Sequence, residues 1–201
     1  MADGSGELLL IRREAFDRPT RLRVSIDDIF RWQRAGLVDP DADFELIDGE
    51  IIYMPAEGER HLNYKIELVR FFNRTLSDTR RLTPDGTLML STYNAPEPDL
   101  YVFEAGAPTH PIDVSRLHLV VEIADTSLVH DLVDKAPLYA SFGVVEYWVV
   151  DVGARLTHVF CRPRDGRYGK PQEVAFSDWL RPLNIDEISL RIDDLPYVRL
   201  G

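Results

Sequence analysis

The chain has 201 residues, of which 45% are hydrophobic and 28% are charged, and its formal net charge is −11. This length suits one sizeable domain with its own core, and the composition is that of a soluble globular protein. The single cysteine, Cys161, excludes an internal disulfide framework and a thiolate metal cluster. The acidic balance argues against indiscriminate binding to nucleic acid.

No targeting or membrane-spanning segment is predicted. LLLI at residues 8–11 is too short for the apolar region of a signal peptide, and Arg12 and Arg13 follow it directly. The longest apolar stretch, VVEYWVV, is interrupted by Glu146 and is too short to cross a bilayer. We therefore expect a cytoplasmic protein with no membrane partner.

The first predicted elements are a short helix and a hairpin. In SIDDIFRWQRAG, Ser25 is the expected N-cap, Asp28 completes a capping box, and Gly36 follows the helix end. In DFELIDGEIIYMP, the pair Asp48-Gly49 separates two apolar arms, which is typical of a β-hairpin.

A long helix and three strands are expected next. Residues 60–77 place apolar side chains at spacings of three and four, which predicts an amphipathic helix; they are Leu62, Ile66, Val69, Phe72 and Leu76. Strands are predicted at TLMLSTY (87–93), PDLYVFE (98–104) and HLVVEIA (118–124).

The second half predicts a crossover and further strands. A helix should begin near Asp125–Ser127 and end at Gly143, although Pro137 would kink it. Strands are expected in VEYWVVDV, THVFCR, the YGKPQEVAF region and EISLRI. A buried strand, a helix and another apolar strand indicate a strand–helix–strand unit, and so an α/β fold with a mixed sheet.

Charged residues in and beside these strands are candidates for a site. Glu122 interrupts the apolar strand LVVEIA, where a carboxylate needs a partner or a cation. Asp99 opens the preceding strand, and adjacent strands would bring the two carboxylates together. Oxygen ligands of this kind suit Mg²⁺ or Mn²⁺.

Structural interpretations stay open for each of these residues. Asp99 could simply start a strand after proline, and Glu122 could form an ion pair with Lys135. Lys135 could instead pair with Asp131 on the surface. His61, at the start of the long helix, is interpreted as structural or close to a substrate and not as a metal ligand.

The ordered motifs resemble a known family. FELIDGEII, a helix opening with His61, PEPDLYV, VVEIADTSLVHDLVDK and YASFGVVEYWVVD are similar to the Uma-type endonucleases. These proteins were formerly a bacterial domain of unknown function, in the PD-(D/E)XK, restriction-endonuclease-like superfamily. The resemblance covers about residues 25–195. It implies a restriction-endonuclease-like core, a mixed β-sheet flanked by helices.

The resemblance also implies roles for individual residues. Asp99 and Glu122 would bind Mg²⁺ or Mn²⁺, with the backbone carbonyl of Ile123 as a further ligand, and Glu45 would be an additional acidic catalytic residue. The superfamily lysine two positions after the glutamate is absent, because Ala124 stands there. Lys135 on the next helix would take its place.

The implied domain organisation is a single domain, 1–201. It comprises an N-terminal helix and hairpin (20–55), a nuclease-like core (56–151) and C-terminal strands (152–201). The implied activity is metal-dependent endonucleolytic hydrolysis of phosphodiester bonds, with DNA as the nucleic-acid partner. One alternative is a catalytically inactive interaction module for nucleic acid or protein, because a fold can persist without its activity. A smaller phosphodiester substrate is another.

Charge distribution bears on the partner. Basic residues exceed acidic ones in 11–34, 61–82 and 161–170, and acids dominate 35–60 and 83–160. DNA binding would require the basic stretches to gather around the acidic site. GVVEYWVV is interpreted as an exposed aromatic surface, which predicts a homodimer.

Overall fold

The computed structural model describes residues 22–39, 42–108 and 111–198. The LLLI segment with Arg12 and Arg13, and part of the basic stretch 11–34, lie outside the described residues. The helices are α1 (Ile26–Arg34), α2 (Glu59–Thr75), α3 (Leu128–His130) and α4 (Ala136–Ser141). The strands are β1 (Phe44–Ile47), β2 (Glu50–Tyr53), β3 (Arg80–Pro84), β4 (Leu100–Glu104), β5 (Leu117–Ala124), β6 (Glu146–Asp151), β7 (Leu156–Cys161) and β8 (Gln172–Ala175).

The strands form two sheets. β1 and β2 make a two-stranded hairpin, and the other strands make a six-stranded sheet in the order β3-β4-β5-β6-β7-β8. Neighbouring strands of this sheet are antiparallel except β5 and β6, which are parallel. The helical segment 128–141 connects the parallel pair, so the predicted strand–helix–strand unit and the mixed α/β sheet are confirmed.

The N-terminal predictions hold in atomic detail. The Ser25 side chain accepts from the backbone N–H of Asp28, and the Asp28 side chain accepts in return from the N–H of Ser25. Asp48 and Gly49 both adopt positive φ, 54° and 78°, as a two-residue hairpin turn requires. The turn fixes the register in which Glu45 lies opposite Ile52.

Helix α2 forms where predicted but buries a different face. Leu62 and Ile66 are 43% and 45% exposed, whereas Tyr64, Leu68 and Phe72 are buried against the large sheet. The predicted stripe was therefore wrong in its first two turns. Apolar spacing alone could not separate the two stripes, because both contain apolar residues four positions apart, Leu62–Ile66 in one and Tyr64–Leu68–Phe72 in the other.

Two predicted strands are absent from the described sheets, and one strand was not predicted. Residues 87–93 instead fold back in a tight turn, where Leu88 N–H donates to Pro96 O and Leu90 N–H donates to Asn94 O. EISLRI contributes only an isolated bridge between Leu190 and Leu180. β3, with the sequence RRLTP, pairs with β4 although its composition is not typical of a strand.

The crossover helix contains a wide turn. Between α3 and α4, Asp131–Lys135 form a π-helical segment in which the N–H of Ala136 donates to the carbonyl of Asp131. Pro137 follows directly and has no N–H of its own. The predicted distortion at this proline thus takes the form of a π-turn before it, and such turns are common at functional sites.

Hydrophobic cores cover both faces of the large sheet. One contains Leu68 and Phe72 from α2, and the other contains Tyr139 from α4 with Tyr147 from β6. Tyr147 and Trp148 are 0% and 1% exposed, so the prediction of an exposed aromatic surface at GVVEYWVV was wrong. Homodimer formation stays a prediction without this support.

Among the described helices, none combines the length and the apolar character needed to cross a membrane.

Candidate active site

Asp99 lies at the end of the sheet where β4 begins. Its Oδ2 accepts the N–H of Ile123 at 2.7 Å, which continues the β4–β5 pairing beyond the last residue of the ladder. Its Oδ1 lies 2.7 Å from Nε2 of His61, at the start of α2. A residue that follows proline at a strand start is thereby held by two separate elements.

Glu122 lies on β5 beside Asp99. One carboxylate oxygen, Oε2, is 3.4 Å from the N–H of Asp99, and the other, Oε1, accepts from Lys135 Nζ at 3.0 Å and from the Tyr139 hydroxyl at 3.2 Å. Glu122 as a whole residue is 3% exposed. These contacts explain how a carboxylate is tolerated within an apolar strand.

Lys135 joins the crossover helix to both sheets. Its Nζ lies 2.8 Å from Glu45 Oε1, 3.0 Å from Glu122 Oε1 and 3.8 Å from Asp131 Oδ1. It is 2% exposed, so the interpretation of Lys135 as a surface partner of Asp131 was wrong. The lysine points back at Glu122, as a replacement for the missing superfamily lysine would require.

Glu45 brings the small hairpin into the site. Its Oε1 also accepts the N–H of Glu97 at 2.9 Å, and its Oε2 lies 3.4 Å from Nε2 of His130. Because Glu45 is 1% exposed, it is not the solvent-facing residue that a hairpin arm could have carried. Hairpin, sheet and crossover helix therefore converge on Lys135.

The buried charges shift one another's protonation. Burial raises the pKa of Glu122 well above its ordinary value, and the carboxylates of Asp131, Asp99 and Glu45 add to this against the opposing charge of Lys135. Burial also lowers the pKa of Lys135, but the charges of Glu122, Glu45 and Asp131 outweigh burial and raise it, so the ammonium stays charged.

Glu45 and His130 stabilise each other's charged forms. Burial raises the pKa of Glu45, but the hydrogen bond with His130 and the charge of Lys135 outweigh it, so the pKa is lowered. The hydrogen bond with Glu45 raises the pKa of His130 despite burial, and a bond with Asp134 contributes to this. The site thus contains cationic and anionic groups in alternation.

A second charged group adjoins Asp99. Lys65, on α2, is 6% exposed; its Nζ bonds to Glu57, lies 2.6 Å from Asp85 Oδ1 and is 3.6 Å from Asp99 Oδ1. Burial lowers the pKa of His61, but its bond to Asp99 and the charges of Asp99 and Glu57 raise the pKa overall. One site therefore holds two buried lysines.

The donor atoms fit a divalent cation. Glu57, His61 and Asp99 each offer one ligand atom, and these atoms all lie within 4.8 Å of one another. Carboxylate oxygens with one imidazole nitrogen suit Mn²⁺ and related ions. Of the predicted ligands, only Asp99 belongs to this group. Glu122 lies next to it, and ligation by Glu122 and by the Ile123 carbonyl stays a prediction.

Most of these side chains line one cavity of about 780 Å³, whereas Glu45 and Tyr139 contact residues of that lining without belonging to it. Further acidic residues in its lining are Asp43, Glu97 and Asp125, and the hairpin contributes an apolar wall that includes Tyr53 and Met54. Burial raises the pKa of Glu97, and the charge of Asp43 contributes. The cavity is therefore strongly acidic, with a small apolar side.

Among the described residues of the predicted basic stretches, Lys65 is the only lysine or arginine that lines this cavity. Arg80 and Arg81 lie opposite Glu104 and Phe103, at the end of β4 away from Asp99. Residues 161–170 follow β7, whose last residue lies opposite Glu146 at the start of β6, whereas Glu122 lies opposite Val149. Arg80, Arg81 and the 161–170 segment therefore lie toward the end of the sheet opposite Asp99.

Comparison with a family model decides the affiliation, since the model of Uma2, described as "Putative restriction endonuclease", matches residues 26–193. The chain belongs to the Uma2 family. This finding confirms the resemblance noted in the motifs. It supports a nuclease-like function and leaves the substrate unspecified.

The fold of this Uma2 chain also has a solved counterpart. The crystal structure of a "putative nuclease belonging to DUF820" from Anabaena variabilis ATCC 29413 is 18% identical and covers 85% of this chain and 96% of that chain, with a TM-score of 0.65. At this identity the likeness shows the fold, which is restriction-endonuclease-like as expected. No curated protein matches the chain.

Sequence reasoning missed several residues of the cavity. Glu57 precedes α2, Lys65 lies within it and Asp85 follows β3. The patterns of these elements carry no site signal, and only the three-dimensional fold brings the three residues to Asp99. If Tyr64 and Leu68 had been predicted as the buried face of α2, Lys65 would have been expected near the core, where a lysine needs partners.

Proposed function

We propose that this Uma2-family chain is a metal-dependent nuclease that hydrolyses phosphodiester bonds in nucleic acid, with DNA as the expected substrate. One observation carries the proposal: Glu122 lies between Asp99 and Lys135 inside the cavity, with Lys135 Nζ 3.0 Å from Glu122 Oε1. A carboxylate pair beside a buried lysine is the arrangement that the superfamily motif would require of this chain.

The roles follow from charge and position. A divalent ion held by Asp99 with its neighbours would supply positive charge to the phosphate and activate water. Lys135 adds positive charge where the phosphoryl oxygens become more negative, and the fixed geometry means that little reorganisation is needed. Glu45 holds the lysine through Oε1 and so orients its ammonium.

Proton transfer can use Glu122. Water attacks phosphorus, its proton passes to a carboxylate, and the bond to one ester oxygen breaks, after which solvent protonates the leaving oxygen. Burial raises the pKa of Glu122, which makes this carboxylate a stronger base than an exposed glutamate. Tyr139, whose hydroxyl donates to Glu122 Oε1, fixes the orientation of the carboxylate.

A plasmid-nicking assay with Mg²⁺ or Mn²⁺ tests the proposal. We expect cleavage by the wild type, none in EDTA, and a loss of about 100-fold or more for Asp99→Ala and for Lys135→Met, the scale on which a key electrostatic group acts. Asp178→Asn, at an exposed position, is the matched control and should retain activity. Cleavage that survives in Asp99→Ala would contradict this site.

A smaller phosphodiester substrate is the second candidate. The cavity volume of about 780 Å³ lies in the range typical of small-ligand pockets, and Lys65 is the only lysine or arginine that the described basic stretches contribute to its lining. Hydrolysis of dinucleotides by the wild type, lost in Asp99→Ala, with no cleavage of plasmid or of single-stranded DNA, would favour this candidate over a DNA nuclease.

A further inference from the structure

The two buried lysines of the cavity have different surroundings. Lys135 contacts Glu45, Glu122 and Asp131, none of which belongs to the Glu57–His61–Asp99 group. Lys65 contacts Glu57 and Asp99, which do belong to it. The sequence motifs assign no role to Lys65.

The contacts of Lys65 are made to the same atoms that face His61. Glu57 Oε1 bonds to Lys65 Nζ and lies 3.5 Å from His61 Nε2. Asp99 Oδ1 lies 3.6 Å from Lys65 Nζ and 2.7 Å from His61 Nε2. Glu57 Oε1 and Asp99 Oδ1 both lie near Lys65 Nζ and near His61 Nε2. An ammonium group and a divalent ion bound beside His61 would therefore compete for these two oxygen atoms.

We propose that Lys65 is a tethered competitor of the metal, and so the residue that sets the metal affinity of the site. This inference rests on the metal dependence in the proposed function. Without a bound ion, the Lys65 ammonium neutralises Glu57 and Asp99 and keeps the carboxylates from repelling each other. When the ion binds, it displaces the ammonium from these two carboxylates.

Asp85 is an ion-pair partner that Lys65 can keep after the metal ion displaces it. Its Oδ1 lies 2.6 Å from Lys65 Nζ, and Asp85 is outside the group that could hold the metal. Asp85 is itself positioned by its N–H, which donates to the carbonyl of Asp99 at 3.1 Å. The lysine can thus keep Asp85 as a partner while it leaves Glu57 and Asp99, and its ammonium group stays in the lining of the cavity.

This competition also favours particular ions. The ammonium group contends for oxygen ligands but not for the imidazole nitrogen of His61. An ion that binds nitrogen as well as oxygen gains affinity that Lys65 does not oppose, so Mn²⁺ should displace the lysine more readily than Mg²⁺ does. Lys65 and His61 together would make the site selective for Mn²⁺ over Mg²⁺.

Calorimetric titration of metal-free protein with Mn²⁺, in the absence of nucleic acid, tests the proposal. Lys65→Met should bind Mn²⁺ about tenfold more tightly or better, since the gain is of the size of one charge-assisted hydrogen bond that no longer competes. Lys65→Arg keeps the charge and should stay close to the wild type. Arg70→Met removes an exposed cation from the same helix, paired with Glu67 outside the site, and should leave the Mn²⁺ affinity unchanged.

A thermal-unfolding series separates competition from a merely structural role. In EDTA, Lys65→Met should unfold at a lower temperature than the wild type, because Glu57 and Asp99 lose their cation. In saturating Mn²⁺ this deficit should shrink or reverse. A deficit of the same size in both conditions would overturn the proposal, as would equal or weaker Mn²⁺ affinity in Lys65→Met.

The outcomes also distinguish this inference from the proposed function. If the wild type binds Mn²⁺ and cleaves DNA while Lys65→Met binds Mn²⁺ no more tightly, the inference fails and the nuclease stands. If neither wild type nor variants bind Mn²⁺, the competitor role fails together with the metal dependence of the proposed nuclease.

Discussion

Single residues in this chain show how burial changes the chemistry of a carboxyl group. Glu146, at the start of β6, is 1% exposed, and burial raises its pKa to about 7 from an ordinary value of 4.5. Its oxygens accept from Trp148 Nε1 at 2.7 Å and from the N–H of Leu183 at 2.6 Å. Glu146 begins β6, whereas Glu122 on the neighbouring strand lies opposite Val149, further along β6. The titration of Glu146 should therefore affect the stability of the fold and not the chemistry of the site.

The raised pKa of Glu146 predicts a pH-dependent stability term. The folded state binds the proton of the Glu146 carboxyl group more tightly than the unfolded state does. The stability that this group contributes is therefore complete below about pH 4.5 and is lost as the pH rises through about 7. Glutamine does not titrate. The free energy of unfolding of Glu146→Gln relative to wild type should therefore rise by about 3 kcal/mol between pH 4.5 and pH 8.

Urea unfolding at several pH values measures this difference. Glu104→Gln serves as a control of opposite sign, because the hydrogen bond from Arg116 lowers the pKa of the exposed Glu104. A free-energy difference between Glu146→Gln and wild type that does not change with pH would contradict the prediction. Any constant offset from altered hydrogen bonds to Trp148 or Leu183 does not affect the comparison.

At the same scale, the sequence could predict some site residues and not others. Glu122 was predictable as a site residue, because a charge within an apolar strand requires a partner. Lys135, on the helix that follows this strand, was a candidate for that partner. Nothing in the local pattern joins Lys65 to Asp85, which lie on different elements and meet only in the folded chain. Partners that come from distant elements need the tertiary structure.

Among the elements, the β1–β2 hairpin couples a backbone turn to the site. Gly49 has a φ of 78°, and a Cβ placed there would lie 2.6 Å from Arg23 Cβ and 3.0 Å from Arg23 Cα. The turn is also tied to its neighbours, since Gly49 N–H donates to Tyr93 O and Val24 N–H donates to Gly49 O. The same hairpin carries Glu45, so the turn geometry should affect where the Glu45 carboxylate lies relative to Lys135.

Gly49→Ala should therefore lower both stability and activity. We expect a loss of about 1–3 kcal/mol from the positive φ together with the close approach to Arg23, and lower cleavage activity because Glu45 shifts relative to Lys135. Gly36→Ala is matched, with a φ of 69° but nothing within 4 Å of the added Cβ. It should show only the conformational cost, about 1 kcal/mol, with unchanged activity.

Thermal unfolding and the nicking assay measure the two effects of Gly49→Ala. Equal stability losses in the two variants would mean that Arg23 moves away from the added Cβ at position 49 with no loss in the free energy of unfolding. Unchanged activity in folded Gly49→Ala would mean that the hairpin does not position Glu45 for catalysis. The comparison works because α1, which Gly36 follows, carries no residue of the cavity lining.

Elements with strong local signals were predictable, and those that depend on pairing were not. The capping box of α1 and the Asp48-Gly49 turn form because side chains and backbone within a few residues determine them. β3 is a strand because β4 offers an edge to pair with, despite the polar sequence RRLTP. Residues 87–93 have strand composition yet turn back on themselves.

The charge pattern of the whole molecule bears on how a nucleic acid would approach. The sequence locates basic and acidic blocks along the chain, but only the sheet register shows that Arg81 and the 161–170 segment lie toward the end of the sheet opposite Asp99. Near the cavity, Arg60 is already paired with Asp125. The described residues therefore offer few free cations for phosphates at the site.

This arrangement predicts a shallow salt dependence of nucleic-acid binding. Each phosphate neutralised by a lysine or arginine contributes a slope of about −0.7 to −0.9 to the plot of log affinity against log salt. With at most about two such contacts at the cavity, the slope should be no steeper than about −2. Fluorescence anisotropy of a labelled oligonucleotide between low and moderate NaCl, with Ca²⁺ as a non-activating ion, measures it.

The N-terminal arginines provide the internal comparison for that measurement. Arg12 and Arg13 lie outside the described residues and belong to the basic stretch 11–34. If the slope is steep in the wild type and becomes shallow in Arg12→Ser with Arg13→Ser, this stretch carries the phosphate contacts. A steep slope that persists in the double variant would contradict the charge distribution deduced from the sheet. A shallow slope in both proteins means that ion pairs between the protein surface and the phosphates contribute little to the affinity.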